Sequence, residues 1–235
     1  MGKHKKVLQI SRRLFLTCSI GFKNRIKYGA GAPRYAELIW VTPSEITKSF
    51  KASYIEKAFG EHKLVSGSVI GGDWDLGGRE FDKRQFYLEC KKHWIDGVPW
   101  VETNRYDKMV SQIGRNGIVD GCSTYEDVVA RYERLDRLFA KAKKERNFMT
   151  QAELNRSRRF FAPAYDEIEV FIDRNGKPIH GRGGNHRVAI AKILKLEKIP
   201  AKLGAIHPDG LKYYKYFKIN PNRDSLQADL RPHTI

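Results

Sequence analysis

The spacing of apolar and polar residues along the chain predicts a mixed α/β protein. In "DKRQFYLECKKHWIDG", Phe86, Cys90 and Trp94 recur at intervals of four, which predicts a helix ended by Gly97. The longest helix is predicted for "STYEDVVARYERLDRLFAKAKKERNF". Its apolar stripe consists of Val128, Tyr132, Leu135, Phe139 and Ala142. Such a stripe is typical of packing against a core rather than of a cofactor site.

Three helix starts are predicted from capping boxes, in which a Ser or Thr is followed three residues later by Glu. The pairs are Thr42 with Glu45, Ser123 with Glu126, and Thr150 with Glu153. The first pair would begin a helix with Ile46, Phe50 and Tyr54 on one face, and Pro163 would end the third helix. The stretch "VPWVETNRY" between the first two helix starts is predicted to be a loop.

The C-terminal third has the pattern strand, hairpin turn, strand, helix, strand. "EIEVFID" alternates as a strand does, "RNGK" is an Asn-Gly turn, and "PIHG" returns as the second strand. A helix that is apolar on nearly all sides is predicted from Asn185, and "KIPAKLGAI" supplies the last strand. We expect a basic N-terminal segment (residues 1–35) followed by a single compact α/β domain (residues 36–235).

The formal net charge of +17 is concentrated at the two ends of the sequence. Residues 1–60 contain 12 Lys or Arg against 3 Asp or Glu, and residues 181–235 contain 11 against 4. This distribution predicts an anionic partner: nucleic acid, a phosphorylated ligand or an acidic membrane surface. A basic composition can also serve solubility alone.

Composition and cysteine content predict a cytoplasmic protein, with peripheral membrane association as a further option. No run of about 18 apolar residues occurs, so no membrane span is expected. Cys18, Cys90 and Cys122 are far apart and odd in number, which predicts neither a disulfide framework nor a disulfide-linked partner. "SRRLFLT" is similar to an export signal, but charged residues follow it closely. We expect a basic amphipathic segment that lies on anionic lipid or RNA, or an ordinary first helix.

The stretch "HGRGGNHR" (residues 180–187) directly precedes the predicted apolar helix. Glycine lets the backbone approach a ligand closely, and the free N–H groups at a helix start attract anions. Guanidinium groups match phosphate oxygens. A phosphate-binding turn is therefore predicted from Arg182, Gly183, Gly184, Asn185, His186 and Arg187. The alternative is a tight turn that needs only positive φ, with both arginines in solvent.

The segment "DRNGKPIHGRGGNHRVAIAKILKLEKIPAKL" resembles the signature of the ParB/sulfiredoxin superfamily over roughly residues 165–207. The resemblance implies a small mixed sheet with packed helices, preceded by a helix-rich N-terminal extension. It also implies that Gly183 to Arg187 contact the phosphates of ATP or CTP. Asn185 stands where sulfiredoxins have their catalytic cysteine, so sulfinic-acid repair is not expected. No helix-turn-helix follows His207, so a partition-type DNA clamp is not expected either.

A phosphotransfer reaction requires a base and usually a magnesium ion. Asp73 and Asp75, in the glycine-flanked "GGDWDLGG", are candidates for both roles, or they form a polar turn with Trp74 packed inward. Glu102 is a second candidate base because an apolar neighbour such as Trp100 can raise the pKa of a carboxyl group. The alternative for Glu102 is an acid in a surface loop.

Two further positions are candidates for contact with the ligand. Glu167 and Glu169 share the face of the first C-terminal strand opposite its apolar residues, so one could face the ligand. Residues placed in this way are also typical of the solvated face of an edge strand. His186 is predicted to contact the phosphate or the leaving group, and no histidine spacing is typical of zinc.

The stretch "KYYKYFKINPNR" interleaves aromatic and basic residues. Stacking rings with neighbouring lysines are typical of single-stranded nucleic-acid surfaces. The candidates for such a surface are Lys212, Tyr213, Lys215, Tyr216 and Lys218. The alternative is that Tyr213, Tyr216 and Phe217 pack on the core.

Together these features predict an NTP-binding enzyme that uses Mg²⁺, a kinase-like phosphotransferase acting on a small-molecule or glycan-like acceptor. One alternative is a ParB-like nucleic-acid-binding protein or nuclease. A second alternative is a non-enzymatic, basic peripheral membrane or scaffold protein.

Overall fold

Helices alternate with short strands throughout the computed structural model, which describes residues 3–60, 65–154 and 167–220. The α-helices are α1 (Lys3–Tyr28), α2 (Ala52–Phe59), α3 (Gln85–Trp94), α4 (Arg105–Asn116), α5 (Tyr125–Glu145), α6 (Gln151–Leu154) and α7 (Asn185–Ile193). The strands are β1 (Leu38–Val41), β2 (Lys48–Ser49), β3 (Ser68–Val69), β4 (Arg79–Glu80), β5 (Ile168–Ile172), β6 (Pro178–His180) and β7 (Ile199–Ile206). The 3-10 helices are Pro43–Glu45, Trp74–Leu76, Trp100–Thr103 and Pro208–Lys218.

The strands form one open mixed sheet in the order β1-β7-β5-β6-β2-β4. Its centre is the parallel pair β5 and β7, and β6 lies antiparallel to β5. Two further strands pair with β7 on the side away from β5. Strand β1 pairs antiparallel with the first half of β7, and β3 pairs parallel with the end of β7. The expected mixed α/β class is confirmed.

The predicted order of the C-terminal third is confirmed. The Asn-Gly turn closes the β5–β6 hairpin, with Gly176 at φ 74° and its N–H donating to Asp173 O at 3.0 Å. All five residues of β5 are buried because strands flank it on both sides and side chains from other elements cover both faces of the sheet. The expected edge strand with solvated Glu167 and Glu169 was wrong, since both side chains are buried.

Helices and aromatic side chains cover both faces of the sheet. On one face, the fully buried residues 188–191 of α7 pack with α3, α4 and α5 in the main core. On the other face, Phe171 of β5 packs against Phe50 and Trp74. Trp74 is therefore packed inward, as one of the two interpretations of its loop expected.

Two of the three predicted helix starts differ in the structure. Thr42 makes no capping hydrogen bond, and the chain forms a short 3-10 helix, then β2, before α2 begins at Ala52. The capping box of α5 lies one residue later than predicted, between Thr124 and Asp127. The reciprocal bonds of Thr150 and Glu153 are present, while Pro163 lies outside the described residues.

Helix α4 occupies part of the stretch predicted to be a loop. It begins at Arg105, directly after Asn104, which adopts a left-handed conformation at φ 61°. Tyr106 and Met109 are buried, and with Val110 and Ile113 they follow the i, i+3, i+4, i+7 spacing of an amphipathic helix, so the loop prediction overlooked a helical pattern that the sequence contains.

Helix α1 is attached to the rest of the chain through its C-terminal half. The amide of Asn24 donates to the carbonyl oxygens of Pro33 and Gly67, both at 2.8 Å. Leu16 packs against Tyr35 and Ala36. Over the described residues, no helix is long and apolar enough to cross a membrane.

Candidate phosphate-binding site

The glycine-rich turn connects the end of β6 to the start of α7. Gly183 and Gly184 have φ values of 70° and 60°, in the left-handed region that favours glycine. A Cβ atom on Gly184 would lie 2.4 Å from Ile168 Cγ1, whereas a Cβ atom on Gly183 would meet nothing within 4 Å. Gly184 therefore permits close packing on β5, and Gly183 borders open space. The first N–H groups of α7 lack acceptors within the helix, so this end of α7 favours anions.

His180 lies buried beneath the turn. Its Nε2 donates to Gly183 O at 2.8 Å, which leaves Nδ1 as an unprotonated acceptor. Burial lowers the pKa of His180 to about 4, and the positive charges of Arg84 and Arg79 add to this effect. Neither Nδ1 nor the hydroxyl of Ser49, its register partner in β2, has a hydrogen-bond partner within the described ranges. Buried polar atoms of this kind require a ligand or a water molecule.

His186 lies in the first turn of α7, between two aromatic rings. Its imidazole meets Phe86 and Tyr132 edge-on, with centroid distances of 5.4 and 6.0 Å. Burial lowers the pKa of His186 to about 3. The positive charges that add to this effect are those of Arg131, Arg105 and Arg84. The ring is therefore neutral at physiological pH, and its buried Nε2 has no partner within the described part of the chain.

The guanidinium group of Arg84 lies over the rings of Phe81 and Phe86, 5.2 and 4.9 Å from their centroids. Burial lowers the pKa of Arg84 to about 10, and the neighbouring charges of Arg79 and Arg105 lower it further. Among the residues that the structure describes, the side chains of Arg84 and Arg79 make no hydrogen bond or ion pair. A half-buried cation among other cations is costly, and an anionic ligand would offset that cost.

Arg105 is held in place by its neighbours. Its Nη1 donates to Glu89 Oε2 at 3.1 Å, and its Nε donates to the hydroxyl of Tyr132 at 2.9 Å. Lys108 also pairs with the buried Glu89. Arg105 therefore contributes positive charge to the site while its own donors are engaged.

Both arginines predicted to bind phosphate have carboxylate partners instead. Arg187 Nη1 donates to Glu167 Oε2 at 2.8 Å, and its Nη2 donates to Met149 O at 3.3 Å. Arg182 Nη2 donates to Glu56 Oε1 at 2.8 Å. The structure thus engages these two guanidinium groups in ion pairs and leaves those of Arg79 and Arg84 available to a ligand.

The predicted metal ligands Asp73 and Asp75 share a single cation, Arg174. The guanidinium group donates to both oxygens of Asp75 at 2.7 Å and to Asp73 Oδ1 at 2.8 Å. Burial alone would raise the pKa of Asp75, but the hydrogen bonds and charge of Arg174 outweigh it and lower that pKa. Within the described ranges, no cluster of three or more His, Cys, Asp or Glu side chains could hold a metal. The arrangement is that of an ion pair that joins this loop to the hairpin.

The other two candidate bases lie in different environments. Glu102 is exposed at the surface of the Trp100–Thr103 helix, so the apolar surroundings expected for a base are absent. Glu167 is buried, and burial raises its pKa despite the charge of Arg187. Its second oxygen, Oε1, accepts the N–H of Gln151 at 2.5 Å, so both oxygens are engaged.

Residues 212–218 of the basic aromatic stretch lie in the Pro208–Lys218 helix, and residues 221–223 lie outside the described residues. Phe217 is buried and Tyr213 is half-buried, as the core-packing interpretation expected, but Tyr216 is exposed. The lysine ammonium groups lie over tyrosine rings, Lys212 over Tyr213, Lys215 over Tyr216 and Lys218 over Tyr214, at 5.1, 5.1 and 4.8 Å. Of the predicted nucleic-acid contacts, Tyr216 and the three lysines remain exposed.

Sequence reasoning missed the arginines around His180 and His186 because they come from distant segments. Arg79 lies on β4, Arg84 is the residue before α3, and Arg105 begins α4. One signal was present in the sequence. Helix α3 begins after Arg84 and has no acidic residue in its first turn, although acidic and small polar residues are favoured at helix starts.

No protein-family model, curated protein or solved structure matches this chain. The chemistry of the site is therefore inferred from its own residues.

Proposed function

We propose that the protein binds a nucleoside triphosphate at the N-terminus of α7 and transfers a phosphoryl group to a small-molecule or glycan-like acceptor. The observation that carries the proposal is the position of Arg84 and Arg79. Arg84 lies over the rings of Phe81 and Phe86, which contact His180 and His186 respectively. Arg79 is the strand partner of Ser49, which in turn is opposite His180, and neither arginine has an anionic partner within the described residues. The likeness of residues 165–207 to the ParB/sulfiredoxin core supports the same assignment.

In this proposal the phosphate oxygens accept hydrogen bonds from the first N–H groups of α7 and from Arg84. Gly183 borders open space, so the chain can approach the phosphates closely there. Neutral His186 can donate to or accept from the ligand without adding charge. A magnesium ion would be held mainly by the nucleotide phosphates, as is usual for this ion.

Phosphoryl transfer depends chiefly on positioning and on positive charge around the transferred group. The acceptor oxygen forms a bond to the γ-phosphorus, the bond to the leaving nucleoside diphosphate breaks, and the acceptor proton passes to an oxygen of the transferred phosphoryl group, because the candidate carboxylates are exposed or engaged in other contacts. The cations around α7, Arg79, Arg84, Arg105 and Arg131, supply the positive charge that stabilises the oxygens during transfer.

The proposal is tested by calorimetric titration of ATP, CTP and GTP with Mg²⁺ into wild type and into Arg84→Ala. We expect micromolar binding of at least one nucleotide and at least a tenfold loss in Arg84→Ala, since charge-assisted hydrogen bonds contribute about 1.5–3 kcal/mol. Arg137→Ala is the matched control. Arg137 is exposed on α5 with only a 3.9 Å ion pair, and its replacement removes the same charge.

Two results would overturn the proposal: no nucleotide binds, or both variants bind like wild type. If single-stranded DNA binds with steep salt dependence and both variants weaken it equally, the basic surface would be a nucleic-acid surface instead. For a nucleotide that binds, formation of a phosphorylated acceptor together with the nucleoside diphosphate, from a pool of candidate acceptors, separates transfer from binding alone and from hydrolysis.

A further inference from the structure

Over the side chains that the structure describes in its C-terminal half, helix α1 has two apolar faces, and only one of these contacts other described residues. Leu16 and Ile20 lie on the attached face, where the hydrogen bonds of Asn24 also lie. Three large apolar side chains on the opposite face extend into solvent. These are Phe15, Phe22 and Ile26, with exposed fractions of 70%, 69% and 71%. Their spacing of seven and four residues places them in one row.

All charged residues of α1 are basic. Its sequence, "KHKKVLQISRRLFLTCSIGFKNRIKY", contains eight Lys or Arg and no Asp or Glu. By helical periodicity, Lys23 and Arg25 lie on the two sides of the exposed apolar row. A row of apolar side chains flanked by basic ones is typical of helices that lie in the interface of an anionic bilayer.

We propose that α1 docks on an anionic lipid bilayer through Phe15, Phe22 and Ile26, with its axis in the plane of the membrane. The positive charge of α1 favours an anionic bilayer over a second copy of the helix. Two copies of α1 face to face would bring like charges together, whereas acidic headgroups neutralise them. A nucleic-acid duplex would neutralise the charge through its phosphates but would leave the two phenyl rings in water. A single strand could stack its bases on the rings but would leave Ile26 exposed.

The attachment of α1 fixes the orientation of the docked protein. The two hydrogen bonds of Asn24, to Pro33 and Gly67, hold the helix against the start of β3. The proposal is independent of nucleotide binding, because the α1 face and the α7 turn share no residue.

The test is co-sedimentation of the full chain with vesicles of phosphatidylcholine alone or with about a third of phosphatidylglycerol. We expect binding to the anionic vesicles, at least tenfold weaker binding to the neutral ones, and weakening by salt. The double variant Phe15→Ser/Phe22→Ser should lose at least tenfold in affinity, because neither phenyl ring is then available to bury apolar surface in the bilayer. Ile118→Ser is the matched control, since Ile118 is 69% exposed in the loop after α4 and should not affect binding.

Cys18 reports on the same face independently of affinity. Of the three cysteines it alone is exposed, and it lies between Phe15 and Phe22 in sequence. A polarity-sensitive fluorophore on Cys18 should shift to shorter wavelength on anionic vesicles. Failure of wild type to bind, equal binding of the double variant, or an unshifted label would overturn the proposal. A monomer–dimer equilibrium that disappears in the double variant would also overturn it, because a second copy would then cover the face.

Discussion

Arg187 donates a hydrogen bond to Glu167 across 2.8 Å and so joins the first turn of α7 to the chain that enters β5. The carboxylate is fully buried and the guanidinium nearly so. Removing one partner of a buried pair leaves the other uncompensated, so Arg187→Ala should lower the free energy of unfolding by about 3–5 kcal/mol. Urea denaturation followed by circular dichroism measures this loss.

Arg182→Ala is the comparison for that substitution. Its partner Glu56 is largely exposed, so the loss should be about 1 kcal/mol or less. The double variant Arg187→Met/Glu167→Leu should recover much of the lost stability. If Arg187→Ala unfolds at the same urea concentration as wild type, the buried pair is not a stabilising contact. Nucleotide binding is better tested at Arg84, where substitution leaves no buried carboxylate behind.

The two adjacent glycines of the turn should respond differently to alanine. Gly183→Ala places a Cβ in open space at φ 70°, which should cost about 1–2 kcal/mol and leave the fold intact. Gly184→Ala adds an overlap with Ile168 and should cost at least about 2 kcal/mol more. Thermal unfolding measures both losses. Nucleotide affinity should fall in Gly183→Ala despite its intact fold, and unchanged affinity would place the ligand away from the turn.

Stability should decline on acidification because His180 is buried in its neutral form. Its pKa is lowered to about 4 from an ordinary value of 6.5, so between these pH values the unfolded chain binds a proton that the folded chain does not. This stabilising contribution is present above pH 6.5 and is lost as pH falls towards 4. The full loss is about 3 kcal/mol.

The measurement is the free energy of unfolding of wild type and His180→Gln at intervals between pH 7 and pH 4.5. The variant should show a shallower slope, and the difference isolates His180 from carboxyl groups that titrate nearby. Glu167 acts in the opposite direction, because its pKa is raised in the folded chain. Parallel slopes for the two proteins would show that His180 is not responsible.

The two aspartates that share Arg174 should contribute unequally. Asp75 is buried and accepts two side-chain bonds, whereas Asp73 is exposed and accepts one. Asp75→Asn should therefore destabilise the protein by roughly 3 kcal/mol, and Asp73→Asn by less than about 1 kcal/mol. Because the pKa of Asp75 is lowered, its contribution is present above pH 3.8 and is lost as pH falls further. Equal effects of the two substitutions would contradict this assignment.

The C-terminal third was predictable because its signals are local. The Asn-Gly turn, the alternation in β5 and the apolar α7 each depend on residues close together in the chain. Among the N-terminal strands, β2 and β4 were not predictable, since each has only two residues and takes its form from distant partners. Thr42 shows the same limit, because the pairing of Lys48 with Ile179 overrides a favourable helix start.

The position of the site at the glycine-rich turn could be predicted from the sequence, but the arginines that come to it from other elements could not. Arg187 was expected at the ligand because it follows the glycines. In the structure its side chain points towards Glu167 instead and forms an ion pair with it. Arg84 lies at the site because α3 packs beside α7. This contact between distant parts of the chain could not be predicted from the spacing of residues along it.

The pairing of the strands has a consequence for synthesis of the chain. Strands β1 and β3 pair with β7, and β2 pairs with β6, so three of the four early strands need partners from the last third of the sequence. A ribosome must therefore release residues up to Ile206 before the sheet can close. Until then the apolar faces of α3, α4 and α5 that pack with α7 in the core remain uncovered, so closure of the sheet is a late step in the synthesis of the chain.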